Sequence, residues 1–140
     1  SELLKKCRKK QGISQAELAA RLGVTQQAVG KWESGKSSPD PSTVARIAGI
    51  LGTTADYLLG LSDYCGDNVS YKPVPQFGQR FRYVLKFCGV TQYRIEKELH
   101  LSGSMVYKWL NDISLPSVSS LIRVASYLDV TVDFLIGRTD

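Results

Sequence analysis

Residues 15–36 read QAELAARLGVTQQAVGKWESGK, and this stretch decides the fold. Two short amphipathic segments, 15–22 and 26–34, are separated only by Gly23, Val24 and Thr25. Glycine takes a positive φ in so tight a turn without steric cost. Just upstream, Ser14 followed by Glu17 has the spacing of a capping box, in which hydroxyl and carboxylate satisfy free backbone N–H groups at a helix start. Downstream, Asp40 then Pro41 supplies an N-cap with proline at the first helical position. Val44, Ile47, Ala48 and Leu51 then fall at i, i+3, i+4 and i+7, the stripe of a helix with one buried face. The pattern predicts helices near 2–11, 15–22, 26–34, 42–51 and 54–60.

The pattern is written twice. Shifted by 77 residues, Leu4–Asp63 lies on Phe81–Asp140 without a gap, and 18 of the 60 positions are identical. The identities include Gly12/Gly89, Gln15/Gln92, Leu22/Leu99, Val29/Val106, Trp32/Trp109, Pro39/Pro116 and Gly60/Gly137. An ungapped match of this length marks an internal repeat. Its unit, of roughly 60 residues, is marginal in size for folding alone. Second-copy helices are expected near 79–88, 92–99, 103–111, 118–128 and 131–137. No stretch alternates with period two, so the expected fold is all-α: two tandem five-helix bundles, residues 1–63 and 80–140. Residues 64–79 match neither copy and, punctuated by Gly66, Pro73, Pro75 and Gly78, read as a linker. Within it Cys65, Val69, Tyr71 and Phe77 are apolar enough to pack on a neighbouring domain.

Composition narrows the function. The longest apolar runs are a few residues, whereas a membrane span needs about 20. Lys5, Lys6, Arg8, Lys9 and Lys10 lead into Gln11 and Gly12 rather than the apolar stretch of a signal peptide. The three cysteines, Cys7, Cys65 and Cys88, form no CxxC pair, and the single histidine, His100, argues against a metal cluster or a hydrolase triad. A net charge of +5 suits a polyanionic partner. These features describe a cytosolic protein without catalysis, metal or cofactor.

The three-residue turn between short amphipathic helices is the helix-turn-helix signature. Residues 15–36, with Pro39 and the closing Asp56-Tyr-Leu-Leu-Gly60, resemble the lambda-repressor/Cro-like (XRE-type) helix-turn-helix domain. The resemblance implies a five-helix bundle and a sequence-specific regulator of transcription, a repressor that occludes promoter DNA. At 100° per residue Val29 and Trp32 set the inward face of the 26–34 helix, leaving Gln27, Gly30, Lys31 and Ser34 opposite. Gln26 and Gln27 lie in the first turn, the end that such helices place in the major groove. A glutamine amide pairs bidentately with adenine N6 and N7. By the resemblance Gln15 clamps a phosphate; Thr25, Lys31, Ser34 and Lys36 complete the expected DNA-binding set of the first copy. Trp32 and Trp109 read as core anchors, and the 5–10 basic cluster as a solvated face.

The second copy departs from the pattern, with Glu96 for the small Ala19, His100 for Gly23 and Asp112 for Gly35. Its expected DNA-binding residues are Gln92, Ser102, Ser104, Tyr107 and Lys108, on a different half-site. Its surface equally suits protein contacts. A 16-residue linker extends to about 53 Å and spans about 22 Å when relaxed, so one chain can reach two half-sites about 34 Å apart. The expected partner is double-stranded DNA, bound by a homodimer or by one chain as an asymmetric pseudo-dimer. Tyr57-Leu58-Leu59 and Phe134-Leu135-Ile136 are the candidate apolar surfaces for pairing, within or between chains, although most of these side chains equally suit closure of the core. The competing reading is a protein-interaction module, antitoxin-like or an anti-repressor partner, on the same fold.

Overall fold

The structure, a computed structural model, describes residues 2–65 and 73–140. Ten helices, and no strand, occur among these residues. They are α1 (Glu2–Lys10), α2 (Gln15–Leu22), α3 (Gln26–Ser34), α4 (Pro41–Leu51) and α5 (Ala55–Leu58), then α6 (Phe77–Cys88), α7 (Gln92–Glu98), α8 (Gly103–Leu110), α9 (Val118–Leu128) and α10 (Val132–Ile136). Contacts divide the chain into two compact units, Ser1–Pro39 with Thr43–Tyr71, and Asp40–Ser42 with Lys72–Asp140. No helix among the described residues is long and apolar enough to cross a membrane.

Hydroxyl caps start most of the helices. Ser14, Thr25 and Thr54 in the first unit, and Thr91, Ser102, Ser117 and Thr131 in the second, each accept the N–H three residues on. Each satisfies a donor that the helix leaves orphaned, a contribution of about 1 kcal/mol. The capping box at α2 forms only by half: Ser14 Oγ accepts from the Glu17 N–H, while the Glu17 carboxylate pairs with Arg21 one turn on. The Arg21 guanidinium donates to that carboxylate at 3.1 Å, an i,i+4 pair on the exposed face of the helix.

Inward stripes build each core. In the first unit Leu18, Val29, Val44 and Ile47 are fully buried, with Trp32 packed partly against them. The second unit buries Phe81, Val84, Ile95, Val106 and Leu121, and Trp109 lies against Phe81 at 6.3 Å between ring centroids. The closing segments also go inward: Phe134, Leu135 and Ile136 are all buried, as is Leu58, with Tyr57 and Leu59 half-buried. Of the two roles open to the second-unit segment, core closure and pairing, its burial matches core closure.

The expected linker is shorter than its composition implies. Phe77, Gly78 and Gln79 form the first turn of α6, because Phe77 stacks on Phe81 at 5.4 Å and is drawn into the core. Gly78 acts as a packing residue there: its N–H donates to the Asp112 carboxylate at 2.9 Å, and a Cβ would stand 2.5 Å from the Leu110 carbonyl oxygen. At the other end the Thr54 N–H and hydroxyl donate to the Cys65 and Tyr64 carbonyls. Gly66, Val69 and Tyr71 lie outside the described residues.

The second unit keeps the turns of the first with other residues. His100 (φ 54°), Asp112 (56°) and Asp129 (55°) adopt the left-handed conformation that Gly23 (72°), Gly35 (79°) and Gly52 (65°) adopt at the matching positions. Glu96 is accommodated because Gly103, in place of Gln26, faces it; a Cβ there would lie 3.1 Å from the Glu96 carboxylate.

Candidate nucleic-acid interface

α3 projects polar side chains from a well-fixed axis. Val29 is fully buried, while Gln26, Gln27, Lys31 and Ser34 are exposed. Thr25 caps the helix by accepting the Ala28 N–H at 3.1 Å, which leaves its O–H free to donate outward. Ser34 is turned back in this structure, its hydroxyl donating to the Lys31 carbonyl at 3.2 Å. Lys36 is exposed in the loop after α3. Gly30, expected on the open face, is half-buried beside α2, where a Cβ would sit 4.0 Å from Gln15 Oε1.

Gln15 is held by residues that sequence reasoning missed. Its Nε2 donates to Glu33 Oε1 at 3.0 Å, across to the far end of α3. The other partner of that carboxylate is Arg8, which grips it in two places, Nε at 2.6 Å and Nη2 at 3.2 Å, and donates through Nη1 to the Ile13 carbonyl. Arg8 and Glu33 are 7% and 8% exposed, so this is a buried ion pair. Burial alone would push the Glu33 carboxyl up; hydrogen bonds from Arg8 and Gln15, with the charges of Arg8 and Lys5, outweigh it and hold the carboxyl below its usual range. The hydrogen bond to Glu33 likewise raises Arg8. The chain Arg8–Glu33–Gln15 ties α1, α2 and α3 together and fixes the Gln15 amide, with one of its two N–H donors committed inward. Arg8 is thus removed from the basic cluster, whose Lys5, Lys6, Lys9 and Lys10 remain exposed.

The repeat itself carried the signal for this pair. Seventy-seven residues on, Arg8 and Glu33 become Leu85 and Leu110, which are both buried. Two charges vanish together, as expected only if they are partners. Gln92 therefore faces no carboxylate at position 110 and lies exposed at the start of α7. Ser104, Tyr107 and Lys108 are exposed on α8, and Ser102 caps it by accepting the Met105 N–H. The amide of Asn111 donates to the Tyr107 carbonyl. Burial pushes the Cys7 and Cys88 thiols up, away from the reactive thiolate.

Comparison with known proteins bears on both halves. The model of one family, helix-turn-helix, matches residues 4–58 and again residues 82–135. The chain is 48% identical over 58 residues to an SPbeta prophage-derived uncharacterized HTH-type transcriptional regulator, YonR, of Bacillus subtilis, covering 41% of this chain and 54% of that protein. It is 44% identical over 59 residues to another uncharacterized HTH-type transcriptional regulator of the same organism, YqaE, covering 42% and 51%. Against the 26 kDa repressor protein of Escherichia phage HK022 it is 46% identical over 57 residues, covering 41% and 24%. The chain spans about half the length of the first two of these relatives. No solved structure gives a significant match.

Proposed function

The chain belongs to the helix-turn-helix family that matches both of its halves, and on that premise we propose that it is a sequence-specific, duplex-DNA-binding regulator of transcription. It acts as a repressor, by occupying promoter DNA in the cytoplasm, and the reading involves no catalytic step. The observation that carries it is the exposed amide strip at the start of α3, Gln26 and Gln27, flanked by Lys31 and by a Gln15 amide locked through Glu33. Amide side chains at a helix N-terminus present donors and acceptors matched to base edges in the major groove. The Gln15 and Thr25 donors and the Lys31 and Lys36 charges are suited to phosphates on either side. Similarity to HTH-type transcriptional regulators and to a phage repressor supports the same reading.

The test is a selection of bound duplexes from a random pool, followed by titration of the winner. Gln27→Ala is expected to weaken binding to the selected duplex by about 1–3 kcal/mol and to leave non-specific binding nearly unchanged. Lys31→Ala is expected to weaken all duplexes alike and to reduce the salt slope by about one. Binding equally weak to every sequence and insensitive to salt would overturn the proposal.

A further inference from the structure

A cavity of the first unit, lined by no residue of α2 or α3, opens between α1, the end of α4 and α5. Its volume is about 360 Å³, within the range of small-molecule sites. Five polar side chains line it: Lys6, Lys10, Gln11, Thr53 and Tyr57. Their counterparts 77 residues on are Tyr83, Phe87, Cys88, Val130 and Phe134, so both charges and the amide disappear together. In the second unit rings meet at that place, Phe87 lying 5.2 Å from Phe134 and 6.1 Å from Tyr83 between centroids. The same bundle folds with either set, so packing does not require the polar one.

We propose that this cavity is a binding site for a small phosphate monoester, its head held between Lys6 and Lys10 and its organic body against Leu51 and Tyr57. Charge selects the ligand. Among the described residues lining the cavity there is no carboxylate, while Lys6 and Lys10, four residues apart on α1, are neighbours on one helix face. Burial raises the thiol of Cys7 on the cavity wall, and the charges of Lys10 and Lys6 oppose it, so both ammonium groups lie close by. The Gln11 amide nitrogen stands over Gly52, 3.9 Å from where a Cβ would be. Carbonyls near the ends of α1 and α4 are taken by the N–H groups of Gln11, Gly12, Gly52 and Thr53, which blunts the negative helix ends that would repel an anion. A monoester head concentrates up to about two negative charges and three acceptor oxygens in one place, matching two ammonium groups and an amide. A dicarboxylate separates its charges, and a neutral ligand leaves the ammonium groups unanswered.

The test is isothermal titration of the full chain, at fixed ionic strength, with ribose 5-phosphate and adenosine 5′-monophosphate. Ribose, adenosine and inorganic phosphate are the controls. At least one monoester is expected to bind with a Kd below about 1 mM, and the uncharged compounds are expected not to bind. Inorganic phosphate, without a body to bury, should bind about tenfold more weakly or worse. Lys6→Tyr with Lys10→Phe, the residues of the second unit at those places, should weaken the monoester about tenfold or more with helix content unchanged. Lys10→Gln alone should weaken it in the same direction. Lys5→Ala with Lys9→Ala removes two charges from α1 outside the cavity and should leave binding unchanged. Binding of neither monoester, equal binding of inorganic phosphate, or an equal loss in the Lys5 and Lys9 variant would each overturn the proposal. Displacement of the bound monoester by duplex DNA would assign Lys6 and Lys10 to the nucleic-acid backbone and overturn it too. The Gln27 test of DNA reading rests on α3, so the two proposals fail separately.

Discussion

A carboxylate buried in a small domain is tolerated only where its charge is met, and Glu33 meets that condition through Arg8 at 2.6 Å. Removing one member strands the other, so Glu33→Gln is expected to destabilise the first unit by about 3–5 kcal/mol in denaturant titration. Arg8→Leu combined with Glu33→Leu recreates the apolar pair Leu85 and Leu110 of the second unit and should recover most of that loss, since well-packed apolar replacements of buried ion pairs are often neutral or better. Their pH profiles differ in a fixed direction. Because folding lowers the Glu33 pKa, the pair stabilises fully above the ordinary carboxylate range, near pH 4.3, and the contribution is lost as pH falls through the lowered value. Stability measured at pH 7 and at pH 3 should therefore fall more for the wild type than for the double-leucine variant. Equal losses would mean that the pair does not stabilise the fold. Neither residue was legible as a partner from helical periodicity alone. Arg8 sits among lysines that are solvated, and an acidic residue on an inward stripe has no meaning until its cation is known. Gln15 was legible by position, its orientation was not, because that depends on a contact 18 residues away.

At the level of elements, starts and stops were readable because they are local chemistry. α2, α3 and α9 begin and end where caps and apolar spacing place them, and the other helices differ by at most one residue at either end, save α5, two residues shorter at its C-terminal end, and α6, which starts two residues earlier. The start of α6 was not readable, since Phe77 is recruited by Phe81 and Gly78 by α8, both of them tertiary effects. Gly78→Ala should accordingly destabilise the second unit by about 1–3 kcal/mol, because its methyl has no room beside the Leu110 carbonyl. His100→Gly has the opposite sign: relieving a left-handed histidine is expected to stabilise that unit by about 0.5–1 kcal/mol, with exposed surroundings leaving nothing else to lose. Asp112→Gly relieves the same backbone but forfeits the acceptor of the Gly78 N–H, and should yield no gain. Thermal unfolding of the three variants orders them. In the first unit, Gly30→Ala is sterically open and should add up to about 1 kcal/mol of helix propensity.

For the whole molecule the repeat made two units legible, and both fold as the helical bundles it implies. Identity is concentrated in core and cap positions such as Val29/Val106, Trp32/Trp109 and Thr54/Thr131, which specify the bundle whatever its outer face does. Differences such as Gly30/Tyr107 and Lys36/Ile113 lie outside the core and leave the bundle itself unchanged. A single unit that reads DNA gains affinity when it is paired, through effective concentration, whether the second reading helix comes from the same chain or from another. The two cases leave different marks on DNA. Pairing within one chain joins α3 to α8, whose faces differ, and demands an unsymmetrical site. Pairing two chains sets α3 against α3 and demands an inverted repeat with half-sites about 34 Å, or a multiple of that, apart. Because α3 and α8 present different outer residues, duplexes selected by the full chain are expected to be unsymmetrical. Selection of inverted repeats would instead assign the second reading head to α3 of a second chain.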